Sequence, residues 1–135
     1  MNTFRKNEMN LIYSLLTSFI LTINLIGEIP YSDIESAFSS NDAVGIVEYG
    51  KDKILLNVLG VEGVYSQSQA SLVLKDFFNK KPSTSFKFIF KGKETADGSF
   101  AIGTFVSKSE TFRVTIKFKK NTNDYKIESL TIEKS

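Results

Sequence analysis

The chain has 135 residues and a formal net charge of +2, and it contains neither cysteine nor histidine. This length suits one domain, and so small a net charge gives no indication of a nucleic-acid partner. Without Cys or His there is no Ser-His-Asp or Cys-His group, no thiolate nucleophile and none of the usual zinc, copper or haem ligands. Glycine-rich phosphate loops and calcium loops are also missing. We therefore predict no cofactor, no metal and no catalytic residue.

The first 27 residues have the pattern of a signal peptide. Arg5 and Lys6 are followed by an apolar run over residues 11–26 and then by Gly27. This run is shorter than the roughly 20 residues that a membrane-spanning helix needs. We predict that residues 1–27 are removed and that residues 28–135 form a single domain, periplasmic or extracellular in a bacterium, with no stable membrane anchor. An uncleaved anchor and a buried core helix are the alternatives.

Two short helices are predicted next. Pro30 suits the first turn of a helix, and Asp42 suits the cap of a second helix that Gly50 ends. One face of each segment is apolar. The residues on these faces are Ile29, Ile34, Ala37 and Phe38, then Val44, Ile46, Val47 and Tyr49.

A hairpin and a longer helix follow. Residues 53–59 predict a strand, residues 60–63 a turn, and Val64 and Tyr65 a short return strand. Ser66 and Gln69 form the pattern of a capping box for a helix over residues 67–80. The apolar residues of this helix repeat with helical spacing. They are Ala70, Val73, Leu74, Phe77 and Phe78.

The remaining chain alternates with a period of two residues, which predicts four strands at 85–93, 99–107, 111–119 and 125–133. One strand phase carries aromatic residues that we expect in the core: Phe86, Phe88, Phe90, Phe100, Phe112 and Phe118. In the last strand the apolar phase changes, which predicts a bulge near Glu128 and Ser129. The order of helices, hairpin, helix and meander indicates an α+β fold.

Three short segments carry a resemblance to a known family. Gly63-Val-Tyr-Ser66, Leu74-Lys-Asp-Phe-Phe78 and Ala101-Ile-Gly103-Thr104 resemble the exported proteins of domain of unknown function 4783, known mainly from Bacteroidetes. The element order looks like the nuclear transport factor 2-like, cystatin-like cone. The resemblance implies N-terminal helices packed on a strongly curved antiparallel sheet, and an exported location. It implies no activity, because that family has no assigned catalytic residues.

Carboxylates are the first candidates for chemistry. Glu94 and Asp97 flank a predicted turn at residues 96–98, and Asp76 lies on the long helix. An acid–base pair needs burial to separate the two pKa values. Exposed turn and helix positions do not provide that burial, so we expect these residues, like Glu62, to be solvated.

An apolar pocket at the mouth of the cone is the second candidate. Ligand pockets are mostly apolar with a few polar groups, so Tyr31, Tyr65, Phe88, Ile102 and Val114 are the predicted ligand-binding residues. Tyr49 is a further source of a hydroxyl. The alternative is that these side chains fill the core.

A basic sheet face is the third candidate. Residues 84–135 hold 10 basic and 6 acidic residues. Lys87, Lys91, Arg113 and Lys117, with Lys93 and Lys119, share the predicted solvent phase. Such a face suits anionic glycans, lipid headgroups or an acidic protein, or it is a solvated face that discourages sheet association.

The preferred function is a non-catalytic binding or interaction module of the cell envelope. The alternative is a carrier of a small apolar ligand inside the cone, and the third candidate is a ketosteroid-isomerase-like enzyme. The partner is then an envelope protein or a small apolar ligand, and a homodimer remains open.

Overall fold

A computed structural model describes residues 28–135, so the predicted signal peptide lies outside the described residues. The helices are α1 (Tyr31–Ser39), α2 (Ala43–Val47) and α3 (Gln67–Lys80). The strands are β1 (Gly50–Val58), β2 (Val61–Ser66), β3 (Ser85–Lys91), β4 (Gly98–Ser107), β5 (Glu110–Lys120) and β6 (Tyr125–Lys134).

The predicted helix caps are present. Ser66 Oγ accepts a hydrogen bond from the N–H of Gln69 at 3.3 Å, and Gln69 Oε1 accepts one from the N–H of Ser66 at 3.2 Å. Asp42 Oδ1 accepts from the N–H of Gly45 at 2.9 Å and so caps α2. These bonds satisfy N–H groups that a helix leaves without an internal partner, so α2 and α3 start where their caps lie, whereas α1 begins after Pro30 without a side-chain cap.

The six strands form one sheet in the order β2-β1-β6-β5-β4-β3. The β1–β2 hairpin and the β3–β6 meander pair antiparallel, as predicted. The first and last strands, β1 and β6, pair parallel, with Leu56 opposite Leu130 and Val58 opposite Ile132. This contact was not predicted, because sequence alternation does not tell which distant strands become neighbours. The α+β fold with helices on a curved sheet is confirmed.

The core lies between the helices and the inner face of the sheet. The ring of Phe38 on α1 stacks on Phe86 of β3 with centroids 4.5 Å apart. Phe77 on α3 contacts Phe105 and Phe112 at 5.4 and 5.5 Å. The interior is therefore aromatic, as predicted, and α3 packs on it through its apolar face.

The β1–β2 turn differs from the prediction. It is formed by Leu59 and Gly60, both with positive φ (52° and 90°), rather than by residues 60–63. Two residues with positive φ form the tight turn that matches strand twist. Asn57 Oδ1 also accepts from the N–H of Gly60 at 3.1 Å. Residues 61–63 are thereby released to extend β2.

Two of the six predicted core phenylalanines lie on the outer face instead. Phe90 and Phe100 are 48% and 42% exposed. In β3 the register shifts between Phe88 and Phe90, so Ile89 forms a bulge and Phe90 points outward. In β4 the small residues Ala101 and Gly103 face inward, because the Phe86 ring occupies the space that a side chain at Gly103 would need.

The predicted bulge in β6 is confirmed. Lys117 pairs with Ser129 and Phe118 with Ile127, which leaves Glu128 without a partner in β5. The extra residue brings Tyr125, Ile127, Leu130 and Ile132 onto the same inner face, and all four are buried.

Candidate functional site

An aromatic pair projects from the outer face of the sheet. Phe90 and Phe100 lie on neighbouring strands with ring centroids 5.3 Å apart. Gly92 lies beside Phe100, and its N–H donates to the Phe100 carbonyl at 2.8 Å. A side chain at Gly92 would collide with that carbonyl, so glycine allows the two segments to approach closely.

The aromatic pair belongs to a larger surface. Ile102 pairs with Phe90 and Lys117 pairs with Phe100 in the sheet register, so all four side chains share the outer face. We call Phe90, Phe100, Ile102 and Lys117 the outer patch.

The charge around the outer patch is positive. Lys87 and Arg113 lie one step further along the outer face, both opposite Thr104 of β4. Strands β3 and β4 contain no Asp or Glu. The single acid of β5, Glu110, forms ion pairs with Lys81 and Lys134. Lys87 is paired with Glu35 of α1, and Arg113 lies opposite Glu133 of β6 in the sheet register. Lys117 lies between Phe100 of β4 and Ser129 of β6, so it is the cation beside the rings that has no acid opposite it.

Three residues of the predicted basic face lie together on the outer face of the sheet: Lys87, Arg113 and Lys117. Lys91 does not, because the bulge at Ile89 places it opposite Ala101 on the inner phase. Its ammonium lies 4.7 Å from the ring centroid of Tyr31, a cation–π contact. The basic-face prediction was thus wrong for Lys91.

The mouth of the cone brings together two of the five predicted ligand-binding residues. Tyr31 meets Phe88 edge to face at 5.1 Å and Phe118 at 6.1 Å. Its hydroxyl is buried and has no hydrogen-bond partner among residues 28–135. Burial raises the pKa of Tyr31. Ser99 lies close enough to lower the pKa of Tyr31. The Ser99 hydroxyl itself donates a hydrogen bond to the Gly92 carbonyl at 3.1 Å.

The other three predicted ligand-binding residues lie apart from this mouth. Val114 is fully buried in the core. Ile102 lies on the outer face, because the inner phase of β4 is taken by its small residues. Tyr65 lies on β2, where its ring covers the backbone of Gly63. The pocket lined jointly by Phe88, Ile102 and Val114 was therefore a wrong prediction, since those side chains face different regions.

A shallow acidic depression lies between α1 and α2 and was missed from the sequence. It has a volume of about 180 Å³ and is lined by Asp33, Asp42, Glu48 and Tyr49, among others. Burial raises the pKa of Tyr49, and the nearby charges of Asp33 and Glu48 raise it further. Asp42 is already engaged as the α2 cap, and no three acidic residues within the described part of the chain are arranged to hold a metal.

The carboxylates singled out in the sequence are exposed. Glu94 and Asp97 lie in the β3–β4 loop, and Asp76 forms a surface ion pair with Lys80 at 3.0 Å. Ser107 is the one buried polar residue between positions 28 and 135, so no carboxylate there is buried.

Comparison with known proteins places the chain in a family. Residues 31–133 match a family described as a domain of unknown function, DUF4783. The chain belongs to the DUF4783 family. A DUF4783 protein from Bacteroides ovatus is 30% identical, with a TM-score of 0.73 over 80% of this chain and 96% of that one. A DUF4783 protein from Bacteroides uniformis is 25% identical, with a TM-score of 0.73 over 80% of this chain and 98% of that one.

More distant structures share the fold of this DUF4783 protein. A ketosteroid isomerase-like protein from Erwinia carotovora atroseptica is 14% identical, with a TM-score of 0.61 over 76% of this chain and 88% of that one. A cystatin-like domain of unknown function from Nostoc punctiforme is 8% identical, with a TM-score of 0.61 over 77% and 72%. No curated protein matches the sequence. None of the helices in residues 28–135 has the length and apolar character needed to cross a membrane.

Proposed function

We propose that this protein is a non-catalytic binding module of the bacterial cell envelope, and that it binds an acidic protein partner through the outer patch. The observation that carries the proposal is the half-exposed pair of Phe90 and Phe100 beside Lys117. Exposed aromatic rings form the anchors of many protein interfaces. Leaving two such rings in water gives up burial energy that a partner surface recovers.

The nature of the partner follows from the chemistry around the rings. The ammonium of Lys117, beside Phe100 and without an acid opposite it in the sheet, favours a partner that carries carboxylates. The rest of the face supplies Ile102 and other apolar or methyl-bearing side chains. The hydroxyls of Thr104 and Thr115, which a glycan could use, lie beside Ile102 rather than opposite either ring. The immediate surroundings of the rings are therefore mainly apolar, which favours a protein over a polysaccharide.

The other two candidate functions have weaker support. A carrier needs a shared internal cavity, and the side chains chosen for it face different regions. An isomerase-like enzyme needs an ionisable group inside the cone, and within residues 28–135 none of the carboxylates is buried. The likeness to the isomerase-like protein, at 14% identity, concerns the fold alone.

A peptide titration followed by nuclear magnetic resonance tests the binding proposal. The probes are a peptide alternating Glu and Leu, one alternating Glu and Ser, one alternating Lys and Leu, and an anionic polysaccharide. We expect the Glu–Leu peptide to bind best and to shift the amide signals of residues around Phe90, Phe100 and Lys117. Shifts confined to the Tyr31 mouth, best binding by the polysaccharide, or no binding at millimolar peptide would overturn the proposal.

Two variants sharpen this experiment. Phe100→Ser removes a ring and Lys117→Glu reverses the charge beside it, and we expect each to abolish peptide binding. Both side chains are exposed, so the free energy of unfolding should change by only about 0.5 kcal/mol for Lys117→Glu. Lys53→Glu, an exposed charge reversal on β1, is the matched control and should bind normally.

The proposed envelope location rests on residues 1–27. Its test is the intact mass of the protein purified from its native host, together with cell fractionation. We expect a mass lacking about the first 27 residues and recovery outside the cytoplasm. A full-length chain recovered from the cytoplasm would contradict this part of the proposal.

A further inference from the structure

The two edges of the sheet are treated differently. At the β3 edge, Glu35 of α1 accepts a hydrogen bond from the N–H of Phe88 at 3.2 Å, and Ile89 forms a bulge. A side-chain acceptor and a bulge both prevent another strand from pairing there. The β2 edge has neither a bulge nor a proline. Of the two edges, β2 is therefore the one that can pair with another strand.

The backbone groups that β2 turns outward can be identified residue by residue. The N–H of Leu59 donates to Ile132 of β6, so alternation turns residues 54, 56 and 58 of β1 towards β2. Their register partners 61, 63 and 65 bond back to β1. The outward N–H groups of β2 thus belong to Glu62, Val64 and Ser66.

One of these three groups is already satisfied. The N–H of Ser66 donates to Gln69 Oε1 in the capping box. Glu62 and Val64 remain, each with an N–H and a C=O that have no partner among residues 28–135. The side chains nearby are also exposed: Val61 by 70% and Val64 by 65%. The edge therefore offers four backbone groups and an apolar border.

We propose that β2 pairs antiparallel with β2 of a second copy, about a two-fold axis at Gly63. In this register Glu62 of one copy lies opposite Val64 of the other, so all four free backbone groups form hydrogen bonds. Val61 lies opposite the partner's Tyr65 on the inner face and becomes covered. The two six-stranded sheets join into one sheet of twelve strands.

Charge and geometry select this register over its neighbours. A two-fold axis at Glu62 would place two carboxylates directly opposite each other, which is unfavourable. An axis at Val64 would place Glu62 opposite Ser66, whose N–H is already used. Only the axis at Gly63 uses every free group and keeps the two Glu62 side chains apart. The second copy is therefore the occupant that the edge fits.

Analytical ultracentrifugation of the purified protein over a concentration series tests the proposal. Val64→Pro removes the outward N–H without touching the β1 ladder, because the Val64 N–H does not bond to β1. Two intermolecular bonds are lost, so we expect dimerisation at least about tenfold weaker. Val64→Thr keeps the N–H and the branched shape and should dimerise like the wild type.

A third variant reports on the register and does not depend on proline. Val64→Lys places an ammonium opposite the partner's Glu62, so the proposed axis predicts a tighter dimer. With an axis at Val64, two lysines would face each other and the dimer would weaken. A monomer at millimolar concentration, a weaker Val64→Lys dimer, or a dimer lost in Phe100→Asp but kept in Val64→Pro would overturn the proposal.

Discussion

The carboxylate of Glu35 on α1 accepts a hydrogen bond from the backbone N–H of Phe88, the residue of β3 that precedes the bulge. The same carboxylate lies 3.4 Å from the ammonium of Lys87. Helix α1 thus supplies the acceptor that a neighbouring strand would otherwise supply. One side chain both attaches the helix to the sheet and closes the sheet edge.

Glu35→Ala should lower the free energy of unfolding in urea by about 1 kcal/mol, because it leaves the Phe88 N–H without its partner. Glu35→Gln keeps an oxygen acceptor and should lose less. Lys87→Ala removes only an exposed ion-pair partner and should change stability by about 0.5 kcal/mol or less. Equal stability of Glu35→Ala and the wild type would mean that water replaces this bond at no cost.

Phe77→Ala should cost about 3–5 kcal/mol in urea unfolding, because the ring is buried and its removal leaves a cavity beside Phe105 and Phe112. Leu72 lies on the same helix and is 66% exposed, so Leu72→Ala is the matched control and should cost little. Similar losses in both variants would show that α3 does not pack on the sheet through the face described.

Gly103→Ala should destabilise the protein by about 1–3 kcal/mol, because the new Cβ would lie 2.3 Å from Cζ of Phe86. Phe86→Leu shortens the conflicting side chain. The double variant Gly103→Ala/Phe86→Leu should therefore lose less stability than the sum of the losses in the two single variants. Strict additivity in thermal or urea melts would argue against a steric origin.

Glu110 should make stability depend on pH in the acid range. The Lys81 ammonium, which donates a hydrogen bond to Glu110, holds the pKa of that carboxyl below its ordinary value, and the charge of Lys134 adds to this effect. The folded state thus favours the ionised form. Its contribution is fully present above the unfolded pKa of about 4.3 and is lost as the pH falls through the folded pKa.

Urea melts of Glu110→Gln against the wild type at several pH values measure this contribution. The stability gap should stay constant above about pH 5.5 and narrow as the pH falls through the carboxyl range. Asp52→Asn changes an exposed carboxylate and serves as the control. If the stability difference between the wild type and Glu110→Gln instead widened as the pH fell, the assigned direction of the Glu110 pKa shift would be wrong.

The sequence predicted those parts of the fold that depend on local chemistry. The capping box of Ser66 and Gln69 fixed the start of α3, and the phase change near Glu128 located the β6 bulge. Both signals lie in residues that are close together in the sequence, so these features could be predicted without knowledge of distant contacts.

The parts that failed depend on contacts between distant residues. Ile89 is an apolar residue in an apolar run, and nothing local marks it as a bulge. Its effect was to turn Phe90 outward and Lys91 inward, so one unrecognised bulge misplaced a predicted core residue and a member of the predicted basic face. Likewise, Gly103 lies on the inner face of β4 because the Phe86 ring fills the space that a larger side chain would need. Sequence alternation alone does not reveal this contact.

The position of β6 between β1 and β5 has a consequence for how the molecule is made. Until residues 125–134 leave the ribosome, the β1–β2 hairpin and the β3–β5 meander have no strand to join them. Each fragment then has an unpaired strand edge, whose backbone N–H and C=O groups are exposed to solvent and to other nascent chains. Cooperative folding of the sheet must therefore wait until β6 has been synthesised, and until then the two fragments are exposed to chaperones.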